Sequence, residues 1–156
     1  MSLTLQEFLV GSTEKAAADL TAAVLRLPED KRAWSPMERG RTALHQAAEC
    51  AVLNKHAAQL VERRVWHADS LEDVMREMAQ LAQDWDAVYA ALQQNTSALI
   101  AAIRAVPGEA LTDEVTLPWG AQTLSQVMAY PYWNMSYHEG QINYIGSLAG
   151  ERGEDH

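Results

Sequence analysis

The residues with chemical potential lie on two stretches whose apolar spacing marks them as helices. At about 100° per residue, Val127, Tyr130, Asn134, His138, Gln141, Ile145 and Leu148 fall within about 80° of one another. The outer members are apolar, so this stripe is expected to face a core. Its middle is polar: Asn134, His138 and Gln141. A buried polar group costs about 1–3 kcal/mol when left unpaired, so these three need partners. An earlier stretch offers one. Val52, Leu53 and Leu60 define an apolar arc, Glu49 lies inside it, and His45 and His56 lie close to it. A carboxylate aimed at a core must be paired or bound to a cation. If the two stretches face each other, Glu49 meets His138, and His45, one turn earlier, can join them.

Two chemistries fit that meeting. Oxygen and nitrogen ligands projecting inward from facing helices are how bundles hold metals. Two His and one carboxylate would suit Fe(II), and imidazole with oxygen ligands would equally suit Zn, Ni or Mn. The other reading is a satisfied polar network of Glu49, His138 and Asn134, and spacing alone places that reading first. Tyr130 and Tyr137 are the tyrosines whose hydroxyls can reach a site beside His138. His56 and His67 read as surface residues. Cys50 is about 100° from Glu49 on the helix and reads as a small buried filler rather than a nucleophile.

The elements that must position these groups are marked by their start signals. Thr4-Leu5-Gln6-Glu7 is a capping box that opens a first helix over about 4–27, stopped by Pro28. Residues 28–41 form a connector, in which Ser35-Pro36-Met37-Glu38 can start a short helical turn that Gly40 breaks. Thr42 caps a second helix reaching about His67. Ser70 opens a periodic stretch to Val106. A single helix of that length would be about 54 Å long, so a short helix followed by a longer one, with a break near 82–84, fits a compact bundle better. Residues 107–122 form a long connector, with 114–117 as a small extended arm before Pro118-Trp119-Gly120. Thr123-Leu124-Ser125-Gln126 is a second capping box. It opens the last helix, which ends near Gly150, with Pro131 bending it before Asn134. Residues 151–156 read as a frayed tail. The fold class is therefore all-α: a single domain over 1–150, a four-helix bundle with one long connector and a short extra helix after the second.

Composition narrows the function. The chain has 156 residues, 48% of them hydrophobic, 26 of them Ala, and a net charge of −9. That is one domain with an ordinary core. The acidity and the lack of clustered Lys and Arg argue against nucleic acid or an anionic membrane as partner. No apolar run approaches the roughly 20 residues of a membrane span. The start of the sequence lacks signal-peptide character, and the lone Cys50 excludes a cysteine-cluster metal site, so a cytoplasmic location is the expectation.

Three motifs together resemble the DinB/YfiT-like superfamily of four-helix-bundle metalloenzymes. They are Trp34-Ser35-Pro36, Pro118-Trp119-Gly120, and Asn134-x-x-x-His138-Glu139-Gly140-Gln141-Ile142. The family's last helix carries H-x-x-x-H-x-G-Q-I. The resemblance covers nearly the whole chain and implies a divalent metal (Zn, Ni, Fe or Mn) between the second and last helices. His138 matches the family's last ligand, and Asn134 stands where the preceding His would be. For the second-helix ligand, Glu49 holds the matching position and His45 is the nearest actual His. Tyr130, Tyr137 and Gln141 would orient a small-molecule substrate. The implied activities are thiol transfer, isomerisation of the maleylpyruvate type or hydrolysis, commonly by a homodimer. The alternatives are a binding module whose metal site has decayed and a purely structural helical dimer, with Trp85, Trp119 or Trp133 at its interface.

Overall fold

A computed structural model of the chain describes residues 2–66 and 70–150. The capping box at Thr4 is formed: Thr4 Oγ1 accepts the Glu7 N–H at 3.1 Å, and the Thr4 N–H donates to the Glu7 carboxylate at 2.8 Å. It opens α1, Leu5–Arg26, and the chain then extends through Leu27 and Pro28. The connector holds a single 3-10 turn at Glu29–Lys31. Its Ser35-Pro36 stretch forms a tight turn instead of a helical start. The Ser35 hydroxyl lies 2.6 Å from the Met37 carbonyl and 2.8 Å from that of Gly40. A Cβ at Gly40 would stand 2.7 Å from that hydroxyl oxygen, so a larger residue there would displace the Ser35 side chain.

Thr42 caps α2, Ala43–Arg63. This helix stops short of the expected His67 because Arg64 takes a left-handed conformation, φ 62°. His67 itself lies outside the described residues, as does the 151–156 tail. Ser70 caps α3, Leu71–Leu81, and Asp84 caps α4, Trp85–Arg104. Asp84 explains the break expected near 82–84: its side chain accepts the Ala87 N–H at 3.1 Å and starts a new helix. The extended arm is half of a hairpin. Strand β1, Glu114–Leu117, pairs antiparallel with β2, Gly120–Thr123, so that Val115 faces Gln122. Pro118 and Trp119 make the turn between them, and Gly120, at φ 132°, starts the return strand.

Thr123 then opens α5, Leu124–Leu148, which runs through Pro131. Its capping box is formed as well. Thr123→Ala is expected to lower stability by about 1 kcal/mol, read as a shift of the urea midpoint with unchanged slope.

The helices α1, α2, α4 and α5 make the bundle. Helix α2 lies against α4 and α5, and α1 against α5 and α4, while α3 rests outside on α2. Ala47, Ala48 and Ala51 are fully buried on α2 and let its neighbours approach closely. At one end of the core Leu9, Leu99, Ile103 and Met128 pack beneath the hairpin; at the other Leu20, Leu92, Met135 and Ile142 pack together. Trp85 is partly buried in this second cluster and is not a free interface residue, whereas Trp119 and Trp133 are exposed. Among the described residues no helix is long and apolar enough to cross a membrane.

The inward face of α5 is turned by about 60° from the expected stripe. Leu124, Met128, Met135, Ile142 and Gly146 join the buried arc, and Tyr130 and Leu148 are exposed. Asn134 and His138 stay inside it.

Candidate functional site

Helices α2 and α5 bring Glu49 and His138 together. His138 is 3% exposed, and its Nε2 lies 3.0 Å from Glu49 Oε1. The Glu49 side chain sits at the edge of the buried arc of α2, 17% exposed, rather than in its centre. Its other oxygen, Oε2, is 2.5 Å from Arg41 Nη2. Across the ring, Nδ1 lies 2.8 Å from Gln46 Oε1 and 3.0 Å from Gln141 Oε1. The Gln46 amide is fixed in turn, because its Nε2 donates to the Arg41 carbonyl at 3.4 Å. Amide oxygens accept only, so Nδ1 donates to them, and Nε2 faces the Glu49 carboxylate.

The electrostatics follow from these contacts. Burial pushes the Glu49 carboxyl up, but the hydrogen bond from His138 and the Arg41 charge outweigh it and hold its pKa down at about 2. His45 stands near enough to be lowered by burial and by Arg41 against the pull of Glu49, yet it makes no hydrogen bond to either Glu49 or His138. Asn134 is buried and turned elsewhere. Its amide nitrogen lies 3.8 Å from Cys50 Sγ, and Tyr130 donates to its Oδ1 at 3.5 Å. Tyr137 meets the His138 ring edge-on, 5.3 Å between centroids, and is itself half exposed. Burial first, then the Glu49 charge, raises the Tyr130 hydroxyl, which ties that tyrosine to the same site.

Of the expected residues, Glu49, His138 and Gln141 therefore touch, Tyr137 covers the ring, and Asn134 with Tyr130 forms a neighbouring pair. Arg41 and Gln46 were not foreseen. Gln46 is three residues from Glu49 and so shares its face, a signal that spacing carried. Arg41 sits in the connector, where no periodicity points to it.

Cys50 is fully buried, as a small filler should be, and burial drives its thiol pKa well above the usual range. It is expected to resist a thiol reagent in the native state and to react at once in denaturant, read by mass spectrometry.

A resident divalent ion would need a free Nε2 lone pair, an unencumbered carboxylate and a third donor. Here Nε2 faces Glu49 directly, Arg41 holds the carboxylate, and among the described residues no three His, Cys, Asp or Glu side chains gather. The residues in this arrangement do not fit such an ion.

No protein-family model matches the sequence, and no curated protein is similar to it in sequence. Solved structures are similar in fold. The mycothiol-dependent maleylpyruvate isomerase superposes with a TM-score of 0.73 at 16% identity, over 90% of this chain and 61% of that one. The chain thus spans less than two thirds of that enzyme. A DinB-like protein from Bacillus subtilis superposes with a TM-score of 0.70 at 12% identity, over 95% of this chain and 96% of its own. The fold is DinB-like.

Proposed function

We propose, from a DinB-like bundle with a charged cluster between α2 and α5, that this chain is an enzyme that modifies a small molecule. The observation that carries this reading is the Arg41–Glu49–His138 arrangement. A half-exposed guanidinium pairs with a partly exposed carboxylate whose other oxygen meets a buried ring. Arg41 supplies the positive charge that steadies an anionic or carbonyl group of the substrate. Glu49 lies beside it at the rim, where a substrate can reach it. His138 is a positioning residue: pinned by Gln46 and Gln141, it holds the carboxylate in place. Tyr130, Tyr137 and Gln141 line the approach and orient the molecule. The structural neighbour named as an isomerase supports small-molecule chemistry, and isomerisation, thiol transfer and hydrolysis are the reactions to examine.

The test is a turnover screen of chelator-treated protein against those three reaction types. We expect a turnover that survives chelation and falls at least about tenfold, some 1.4 kcal/mol of transition-state stabilisation, in Arg41→Ala and in Glu49→Gln. Turnover untouched by either substitution removes this site from the reaction.

A second reading is favoured by one observation: every ring nitrogen of His138 is already partnered inside the fold. The chain is then a non-catalytic small-molecule binder with Glu49 and His138 as core network. It predicts that Glu49→Gln alters stability and ligand affinity without any reaction to lose. In either case the exposed row Trp133, Tyr137 and Tyr144 on α5 offers a second copy of the chain an apolar face, and sedimentation is expected to show a homodimer.

A further inference from the structure

A partly open pocket lies one to two turns from the charged cluster, where α2, α5 and the hairpin meet. Its volume is about 190 Å3. Leu53 and His56 of α2, Tyr130 of α5, Gln122 of β2, and the indoles of Trp66 and Trp119 line it. The two indoles meet edge-to-face at 5.2 Å, and Trp66 lies against the His56 ring at 5.5 Å. No Asp, Glu, Lys or Arg is in the lining.

His56 is not the surface residue its sequence position suggested. Its side chain is 11% exposed, and its Nε2 is buried without a hydrogen-bond partner among the described residues, 3.8 Å from the nearest Glu77 oxygen. Burial, with Lys55, lowers its pKa, so the ring enters the lining uncharged.

We infer that this pocket binds a small, flat, uncharged ring compound carrying one hydroxyl, about the size of phenol. Three features select that chemistry. Engineered apolar cavities of about 150 Å3 take up benzene, so the volume suits a single ring with one substituent. Flat aromatic walls reward a flat ligand by stacking and edge contacts. The lining offers no countercharge to an anion or a cation but does offer neutral polar groups (the Gln122 amide and the Tyr130 hydroxyl) to a ligand hydroxyl. The inference stands on the lining and not on chemistry at His138. Tyr130 is the one side chain that belongs to both places.

The test is titration of the full chain with phenol, followed by the indole N–H signals of Trp66 and Trp119. Saturable binding that shifts Trp66 is expected. Ala57→Leu, which fills the pocket from α2, and Trp119→Ala, in the exposed hairpin turn, are each expected to weaken it at least about tenfold. His138→Gln should leave the phenol affinity within about twofold, which separates this site from the reactive cluster. The absence of saturable binding, binding indifferent to both pocket substitutions, or tighter binding of benzoate or benzyltrimethylammonium than of phenol overturns the inference.

Discussion

Replacing His138 by alanine is expected to cost the fold about 2–4 kcal/mol. Three losses add. The ring is 3% exposed, so its removal leaves a cavity between α2 and α5. The buried Gln46 oxygen loses its donor, and an orphaned buried acceptor costs about 1–3 kcal/mol. The Glu49 carboxylate loses one of its two partners and keeps only Arg41. Because that carboxylate still touches water and still has a cation, the cost stays below that of a fully isolated buried charge. Glu49→Gln should fall at the lower end of the His138→Ala range, about 2 kcal/mol, since the charge is lost but an amide oxygen can still accept from the ring. Urea unfolding monitored by circular dichroism reads both. If His138→Ala costs less than Glu49→Gln, the ring is not the centre of the network.

Acid should remove a distinct share of the stability through Glu49. Its folded pKa, about 2, lies below the ordinary 4.5. The ionised form is the one that the fold favours, so the contribution is fully present above about pH 4.5. It is lost as the pH falls from there towards 2. Discounted for the partial contact of the carboxylate with water, the loss is of the order of 2 kcal/mol. Glu49→Gln should flatten the stability profile over that window while leaving the profile above pH 5 parallel to that of the parent. An unchanged acid limb in the variant would assign the loss to other carboxylates.

How much of this was legible in the sequence depended on the kind of signal. Helix starts were legible because capping is local chemistry: Thr4, Thr42, Ser70 and Thr123 all cap as their spacing indicated. The return strand 120–123 was not, because Gly-Ala-Gln-Thr has no apolar alternation and forms only against its partner. The meeting of Glu49 with His138 was legible from two polar interruptions on apolar faces. The orientation of α5 was less so. The polar trio drew the stripe towards Gln141 and Tyr130, while Met128, Met135 and Gly146 set the true centre of the buried arc. Asn134 was expected to complete the cluster and instead pairs across to Cys50, a contact that depends on how α2 is rotated. Arg41 was beyond sequence reasoning, because it precedes the Thr42 cap and so lies outside the helical period that marks Glu49.

The measurement closest to the central claim is a double-mutant cycle on Glu49→Gln and His138→Ala by urea unfolding. If the carboxylate and the ring face each other inside the bundle, the two costs fail to add, with a coupling of about 1–3 kcal/mol. Strict additivity, with each substitution blind to the other, would mean that α2 and α5 do not share this cluster, and the reactive centre proposed for the chain would go with it.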